Sequence, residues 1–504
     1  MPSVLALDQG TTGSTALVIS AEGRVVARAY REFTQHFPKP GWVEHDASEI
    51  WQVTLDVARE ALAQVEETPA AIGITNQRET VVAWDRTSGQ PLARALVWQD
   101  RRTAGRCREL RAERGDEWIA QRTGLVWDPY FSGTKIEWLL REVPEVRKAA
   151  VEGRAAFGTI DSWLIYQFTS GAAHVTDHTN ASRTLLYDIG AQDWDPDLLA
   201  LFGVPRESLP SIGRSSGVVG VADPSHLGAE LPIAGIAGDQ QAALFGQGCW
   251  EPGQAKNTYG TGAFLLMVVG SEWRRVQGAA GRERGAGRGV LTTVACDAAG
   301  APTFALEGSI FIAGAALQWL RDGLGIIERA ADSEKLAAAV TDTGGVYFVP
   351  AFVGLGAPHW EPEARGTIVG LTRGSSRAHL VRAALEAMAF GTRDVLEAMT
   401  DASGVPLTQL KVDGGAAAND WLMQFQTDTL GVRVARPDVV ETTALGAAGL
   451  AGLATGVWRN AEEFLANRSY RWFEPAARRD VEYREWRRAV DTALSWARAR
   501  PDAP

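Results

Sequence analysis

The chain has 504 residues, of which 45% are hydrophobic and 22% charged, with a formal net charge of -11. This length exceeds what one ordinary hydrophobic core organises, so we expect two domains. The acidic balance argues against nucleic acid or an anionic membrane as the main partner. The cysteines Cys107, Cys249 and Cys296 are widely spaced and odd in number, which indicates neither a disulfide framework nor a zinc site.

Two apolar stretches bear on where the protein resides. The first, at residues 4–7, is interrupted by Asp8, which is not typical of a signal peptide. The second, at residues 444–458, is rich in alanine and glycine and is shorter than the roughly 20 residues that span a membrane. It predicts a tightly packed internal helix. We therefore expect a cytoplasmic protein with no stable membrane insertion.

Along the chain, short β-rich apolar runs alternate with longer helical patterns, which predicts an α/β protein. The first run ends in a Gly/Thr turn at residues 10–13 and a second apolar run follows. Asp46 precedes Glu49 by three residues, a capping-box pattern, and the apolar spacing after it predicts a helix. A similar apolar stripe at residues 486–497 predicts a C-terminal helix that packs on the body.

A second strand–turn–strand pattern, at residues 255–268, resembles the first one at residues 4–19. Two similar hairpins at the starts of two similar halves indicate a duplicated domain, although two short echoes also arise by chance. Duplication would place a boundary between Gly248 and Gly253. We then expect an N-terminal domain at 1–248 and a C-terminal domain at 249–504.

Small residues in a turn let backbone N–H groups face an anion, so both Gly/Thr turns are candidate phosphate sites. A third glycine turn, Gly414 and Gly415, would let a flat ring approach the backbone near Asn419. Each turn taken alone is also explained as an ordinary structural turn. No Gly-x4-Gly-Lys-Ser/Thr sequence occurs, so this is not a P-loop protein. Asp8, at the end of the first strand, is placed to hold a water-shelled Mg²⁺ beside phosphates.

Two predicted strands end in polar residues. One runs into Arg78 and Glu79, which suit a polyhydroxylated molecule, although a solvated strand end with a weak ion pair explains them as well. The other ends at Asp239, either the N-cap of the next helix or a general base in a cleft. The aromatic residues Trp98, Tyr130 and Phe264 are candidates for the wall of a small-molecule site, or for the core.

Two further features favour structural interpretations. His174, Asp177 and His178 have the spacing of a metal site on a helix, but the neighbouring threonine and asparagine residues favour a loop. The arginine-rich insert at 282–289 is interpreted as a surface loop.

Several segments resemble the FGGY family of carbohydrate kinases. Residues 130–139, and 366–371 with 379–386, are similar to the two signatures of the family. Residues 35–46 and 76–80 resemble the members that act on glycerol and not on a sugar. The resemblance runs from about residue 4 to 497, nearly the whole chain.

The resemblance implies an α/β fold with two RNase H-like, actin-like ATPase domains and an ATP/substrate cleft between them. It implies ATP- and Mg²⁺-dependent phosphorylation of glycerol to sn-glycerol 3-phosphate. It also implies that the protein is a homodimer or homotetramer and that nucleic acid is not a partner. Two alternatives stay open at this point. One is a family kinase for another polyol or sugar, and the other is a non-catalytic actin-like nucleotide-binding protein.

The resemblance also implies roles for single residues. Asp239 is the implied catalytic base, and Asp8 and Asp239 are implied to orient Mg²⁺ through water. The implied glycerol contacts are Arg78, Glu79, Trp98, Tyr130, Asp239, Gln240 and Phe264. The implied nucleotide contacts are Thr11, Thr12, Gly13, Thr15, Thr261, Gly314, Gln318, Gly415 and Asn419. Two of these depart from the family pattern, since Gly13 stands where serine is frequent and Thr15 where arginine is.

Overall fold

The structure is a computed structural model that describes residues 2–272, 289–439 and 441–499. The predicted surface loop at 282–289 therefore lies outside the described residues, apart from Gly289. In chain order the strands are β1 (Ser3–Gln9), β2 (Gly13–Ser20), β3 (Val25–Glu32), β4 (Gln35–His36), β5 (Glu44–His45), β6 (Ala71–Asn76), β7 (Val81–Asp85), β8 (Ala95–Leu96), β9 (Ala155–Thr159), β10 (Val175–Asp177), β11 (Tyr187–Asp188), β12 (Asp193–Trp194), β13 (Ser211–Gly213), β14 (Ser216–Ala222), β15 (Leu231–Gly238), β16 (Gln254–Tyr259), β17 (Ala263–Gly270), β18 (Leu291–Cys296), β19 (Pro302–Ile310), β20 (Tyr347–Val349), β21 (Thr367–Val369), β22 (Gln409–Gly414), β23 (Val434–Pro437) and β24 (Tyr470–Phe473).

The helices alternate with these strands. They are α1 (Ala47–Leu62), α2 (Ala104–Arg114), α3 (Asp116–Thr123), α4 (Gly133–Glu142), α5 (Pro144–Val151), α6 (Ile160–Phe168), α7 (His178–Ala181), α8 (Pro196–Phe202), α9 (Pro224–Leu227), α10 (Asp239–Gly246), α11 (Gly314–Asp322), α12 (Asp332–Ala338), α13 (Arg377–Ser403), α14 (Asp420–Leu430), α15 (Thr442–Thr455), α16 (Ala461–Leu465) and α17 (Asp480–Arg498), with short 3-10 helices at Arg206–Ser208 and Gly415–Ala418.

The two largest sheets repeat one topology. The first has the strand order β14-β15-β6-β1-β2-β3, and the second has the order β18-β19-β17-β16-β22-β23-β24. In the first sheet β1 pairs antiparallel with β2, the next strand in the chain, and parallel with the later strand β6. In the second sheet β16 pairs antiparallel with β17 and parallel with β22 in the same way. The repeat indicated by the two hairpins is therefore present. The division at residue 248 stays a prediction.

Local signals in the sequence account for the helices that were predicted. Asp46 caps α1, because its side chain accepts hydrogen bonds from the amides of Ser48 and Glu49. In a full capping box Glu49 would accept a bond from the Asp46 amide. Here the Glu49 carboxylate accepts instead from the amide and the hydroxyl of Thr34. The predicted internal helix is α15 and the predicted C-terminal helix is α17.

Helix α15 joins the two halves. It lies between β23 and β24 of the second sheet in the chain but packs on the first sheet. There Gly73 and Gly235 lie against the α15 backbone at Ala447 and Ala451. It also packs on α10 so closely that a Cβ added at Gly446 would collide with the Ala242 carbonyl oxygen. Its alanines and glycines therefore serve close packing between halves. No helix in the described ranges is long and apolar enough to cross a membrane.

This topology brings polar residues together at the carboxyl ends of parallel strands. In the first sheet Asn76 is in register with Gln9 and with Gly238. The ends of these three strands and the residues after them therefore meet. We call residues 8–13, 76–80 and 238–241 the first edge. In the second sheet Tyr259 is in register with Gly414; we call residues 258–262, 314–318 and 413–415 the second edge.

Candidate active site

A buried network of four charged side chains forms the centre of the first edge. Arg78 donates to both carboxylate oxygens of Glu307, at 2.5 and 3.1 Å. Arg183 donates to Glu79 at 2.6 Å and to Glu307 at 2.9 Å. All four residues are buried. Glu307 lies on β19, in the second half of the chain, so the two halves build this network together.

The charges in this network fix its protonation. Burial, the largest influence on Glu307, would raise its pKa, but Arg183 and Arg78 together lower that pKa to about 2. Burial raises the pKa of Glu79, although Arg78 and Arg183 oppose the shift. Glu79 also has a left-handed backbone, with φ of 61°. Strain of this kind in a residue with a side chain is concentrated at functional sites.

Asp239 lies beside this network but is open to solvent. Its Oδ1 atom is 3.3 Å from Nε of Arg78, and its side chain is 35% exposed. It is the first residue of α10, and Gly238 holds the N-cap position without a side-chain bond. Of the two roles that the sequence left open, the structure therefore does not support a helix cap, and the carboxylate is available to a ligand.

Asp8 shares its surroundings with Asp239. Burial, followed by the negative charge of Asp239, raises the pKa of Asp8 to about 7. Thr15 is directly opposite Asp8 in the β1–β2 pair, so both side chains lie on the same face of the sheet. The two carboxylates thus face one region at the mouth of the first hairpin.

The aromatic candidates lie around the same region. Trp98 donates from its indole nitrogen to the hydroxyl of Thr11 at 3.0 Å, and its ring meets that of Tyr130 edge to face at 5.6 Å. Tyr130 also accepts a long bond of 3.4 Å from Arg78. Phe264 is half-buried on β17. Leu266, two residues further along that strand, is directly opposite Glu307, so Phe264 and Glu307 lie on the same face of the sheet.

The rest of the first hairpin exposes backbone and small side chains. Its turn is closed by a bond from the Gly10 amide to the Gly13 carbonyl, and Thr12 is exposed at the tip. A Cβ added at Gly13 would lie 2.7 Å from the Arg31 carbonyl oxygen, so the neighbouring strand β3 selects glycine there. Serine, frequent in the family at this position, would need β3 to move.

The second edge consists mainly of glycine turns. The Thr261 carbonyl accepts from the amide of Ala313, and the Gly314 amide donates to Gly260, so the second hairpin docks on the start of α11. Gly415 is exposed, and nothing lies within 4 Å of a Cβ added there. Gln318 is exposed one turn further along α11. Gly314 thus lies beside the second hairpin, and Gly415 and Gln318 are accessible to a ligand.

Asn419 has a structural role of its own. Its side chain accepts from the Leu422 amide at 2.9 Å and so caps α14, and it donates to the Ser333 hydroxyl at 3.3 Å. It lies four residues after Gly415, at the end of the same turn.

Lys256 connects the two edges. This buried lysine on β16 donates to the side-chain oxygen of Gln240 and, at 2.8 Å, to the hydroxyl of Thr258. Burial lowers its pKa to about 8, although the nearby carboxylates of Asp413 and Asp239 oppose the shift. Gln240, expected to touch glycerol, is therefore positioned by a residue of the second half.

The structure shows why His174, Asp177 and His178 do not form a metal site. His174 bonds the Phe157 carbonyl, His178 bonds the Tyr187 hydroxyl, and Asp177 caps α7. Among the described residues, no three His, Cys, Asp or Glu side chains come together as a metal-binding group. The loop expected here is instead the short strand β10 and the short helix α7.

Sequence reasoning missed Arg183, Glu307 and Lys256. Glu307 had a usable signal, because a single charged residue in the apolar run of β19 must be paired when that strand is buried. Arg183 lies near the end of a mostly polar run at 176–184. That run has more side-chain donors and acceptors than a short loop needs. Lys256 interrupts a buried strand in the same way.

Comparison with known proteins agrees with this geometry. Residues 3–246 match the N-terminal domain of the FGGY family of carbohydrate kinases, and residues 255–455 match its C-terminal domain. The glycerol kinase of Bordetella parapertussis is 55% identical over 506 residues, 98% of this chain and 98% of that protein. The glycerol kinase of Carboxydothermus hydrogenoformans is 56% identical over 501 residues, also 98% of each.

Solved structures show the same fold. Plasmodium falciparum glycerol kinase with ADP has a TM-score of 0.91 at 35% identity, covering 98% of both chains. The xylulose kinase of Lactobacillus acidophilus has a TM-score of 0.86 at 20% identity, covering 99% of this chain and 98% of that one, a likeness of fold alone. The expected two-domain α/β fold of the actin-like type is confirmed. On these grounds the chain belongs to the FGGY family of carbohydrate kinases.

Proposed function

We propose that this protein transfers the terminal phosphoryl group of ATP to glycerol and forms sn-glycerol 3-phosphate. The observation that supports this most is the open carboxylate of Asp239, 3.3 Å from Arg78 in the buried network of the first edge. Relatives at 55% and 56% identity over almost the whole chain are named glycerol kinases, which supports the same activity.

Phosphoryl transfer asks the protein mainly for positioning and charge neutralisation. Arg78 and Glu79 hold the two hydroxyl groups that do not react. Asp239 accepts the proton of the third glycerol hydroxyl. The oxygen of that hydroxyl forms a bond to the γ-phosphorus while the bond between the γ-phosphorus and ADP breaks. Gln240 contacts the hydroxyl groups too, and Trp98, Tyr130 and Phe264 surround the carbon chain.

Magnesium fits the carboxylates of the first edge. Burial, and then the negative charge of Asp239, raise the pKa of Asp8 to about 7, so the two carboxylates lie close enough to repel each other. A hard divalent cation would relieve this repulsion, and Asp8 and Asp239 would hold it through water. Bound there, Mg²⁺ supplies charge neutralisation for phosphate oxygens.

The nucleotide lies between the two edges in this proposal. The phosphates face the hairpins at Thr11, Thr12, Gly13, Thr15 and Thr261, where backbone amides and hydroxyl groups are the donors. The adenosine lies on Gly314, Gln318, Gly415 and Asn419. The open space at Gly415, where an added Cβ meets nothing within 4 Å, supports an approach by a flat ring.

The substrate choice is tested with a panel of acceptors. ADP release from ATP and Mg²⁺ is measured with glycerol, xylulose or gluconate, and with no acceptor. We expect kcat/KM for glycerol to exceed that for either sugar by at least ~100-fold, because a mismatched acceptor leaves buried polar groups unpaired. A preferred sugar would replace the glycerol assignment with the alternative sugar kinase. No acceptor-dependent ADP release at all would favour the non-catalytic nucleotide-binding protein.

Three further expectations, on the domain bounds, the oligomeric state and the location, are part of the proposal. The domains are 1–248 and 249–504, the protein is a homodimer or homotetramer, and it is cytoplasmic. Limited proteolysis, sedimentation and cell fractionation test these points one by one.

A further inference from the structure

Residues 177–183, which we call the support segment, contact the first edge at three points. Thr179 accepts a bond of 2.9 Å from the Gly238 amide, directly before Asp239. Asn180 exchanges two side-chain bonds with Asn76, at 3.0 and 3.2 Å. Arg183 bonds Glu79. The segment therefore reaches the ends of both β6 and β15, and Thr179 bonds the residue directly before Asp239.

The hydroxyl of Thr179 can be oriented in only one way. Asp177 is fully buried, and the Thr179 hydroxyl donates to its carboxylate at 2.7 Å. A threonine hydroxyl has a single hydrogen, so once that hydrogen points at Asp177 the lone pairs are left for the Gly238 amide. The Ser215 hydroxyl and the Asn180 amide fix Asp177 in turn, at 2.7 and 3.0 Å.

The other side of the Gly238 peptide is also held. A Cβ added at Gly238 would lie 2.7 Å from the side-chain carbons of Arg78, so that peptide packs against the stem of Arg78. Arg78 and Thr179 therefore restrain the Gly238 backbone from two sides, directly before Asp239. The Asp239 carboxylate has further contacts, since its Oδ1 atom lies 3.3 Å from Nε of Arg78 and accepts from the Gln240 amide at 2.7 Å.

We propose that Thr179 is a positioning residue for Asp239, and that Asp177 holds Thr179 in the orientation this requires. The inference rests on the proposed function, in which Asp239 accepts the proton of glycerol. Thr179 does not touch the substrate. It acts by fixing the peptide that carries the general base, and misplacing a catalytic group by about 1 Å costs up to ~100-fold in rate.

The test compares Thr179→Val with Thr179→Ser in the full chain. Valine keeps the shape and removes the hydroxyl, whereas serine keeps the hydroxyl. We expect Thr179→Val to lower kcat about 10-fold with the KM for glycerol changed less than about threefold, and Thr179→Ser to stay within about threefold of wild type. Thr184→Val is the matched control, because its hydroxyl donates to the Ala181 carbonyl and does not reach the first edge. Its kcat should stay within about twofold of wild type.

A double-mutant cycle separates positioning from a general loss of structure. If Thr179 acts through Asp239, adding Thr179→Val to Asp239→Asn should lower kcat by less than about twofold further. If Thr179→Val lowers kcat by the same factor in the wild-type and the Asp239→Asn protein, the inference is overturned. A low kcat in Thr179→Ser would overturn it as well. Should Thr179→Val not fold, Thr179→Cys replaces it, since a thiol is a weak acceptor, and wild-type kcat in that variant would overturn the inference.

The outcomes also distinguish this inference from the proposed function. An Asp239→Asn protein with near-normal turnover would reject the base assignment and the inference with it. An impaired Asp239→Asn protein beside an unaffected Thr179→Val protein would overturn the inference alone.

Discussion

The two edges, which Lys256 connects, have one topology but different chemistry. At the first edge the residues that face a ligand are charged side chains held by other charged side chains, as Arg78 is by Glu307. At the second edge the chain presents glycine turns, and Gly415 has open space around it. In the proposed function this difference is a division of labour, in which side chains at the first edge select the acceptor and backbone at the second edge binds the nucleotide.

The largest effect is expected from breaking the buried network of the first edge. Glu307→Gln removes the one buried carboxylate that bonds both Arg78 and Arg183. Glu79 is then the only buried counter-charge beside the two guanidinium groups among the ion pairs of the described residues. We expect kcat/KM for glycerol to fall at least ~100-fold with KM for ATP changed little, and stability to fall by about 3 kcal/mol. Steady-state kinetics and thermal unfolding measure the two effects.

A matched control for that variant is Glu386→Gln. Glu386 accepts from Arg382 at 2.8 Å and is also buried, but it lies on α13, away from both edges. Its substitution should affect stability and leave kcat/KM for glycerol within about twofold. Equal losses of activity in the two variants would contradict a special role for Glu307.

A smaller and different effect is expected from adding one methyl group at the second edge. Gly415→Ala meets open space, so stability should be unchanged while KM for ATP rises about fivefold from contact with the nucleotide. Gly414→Ala is the contrasting variant, because φ is 83° there and an added Cβ would collide with the Tyr259 carbonyl oxygen. It should cost at least about 2 kcal/mol of stability. An unchanged KM for ATP in Gly415→Ala would remove that turn from the nucleotide site.

The smallest effect concerns pH and the residue that connects the edges. The folded-state pKa of Lys256 is lowered to about 8 from 10.5, mainly by burial, while Asp413 and Asp239 oppose the shift. As pH rises through about 8, Lys256 loses its charge and holds Gln240 less firmly, so kcat should fall a few-fold on an alkaline limb. Between the two pKa values the folded state binds fewer protons, so stability itself rises with pH.

Lys256→Arg provides the check on this assignment. A guanidinium keeps its charge across the whole range, so the alkaline limb near pH 8 should disappear from the pH profile of kcat. A limb that persists unchanged in this variant would assign the titration to another group.

Sequence alone was sufficient where the signal is local. The hairpins, the cap of α1 by Asp46 and the packed helix α15 each follow from neighbouring residues. Arg78, Glu79 and Asp239 could be selected because polar residues directly follow buried strands. The sequence did not specify their arrangement and left Asp239 as either a cap or a base. The structure shows no cap, and the base stays a proposal.

The supporting residues could not be predicted because their contacts are distant in sequence. Glu307 is 229 residues from Arg78, and Arg183 is 104 residues from Glu79. The pattern of one sequence does not say which buried charge meets which. Thr179 is harder still, because a threonine in a polar loop is common and only its bond to the Gly238 amide distinguishes it.

The most direct test of the account is the turnover of Asp239→Asn with glycerol. Asparagine keeps the size of the side chain but cannot accept the proton, so kcat should fall at least ~100-fold while glycerol binding, measured by calorimetry, is largely kept. Asp297→Asn, in a half-buried turn where the side chain accepts from two backbone amides, is the matched control and should turn over normally. Near-normal kcat in Asp239→Asn would contradict the central claim that this carboxylate is the general base of glycerol phosphorylation.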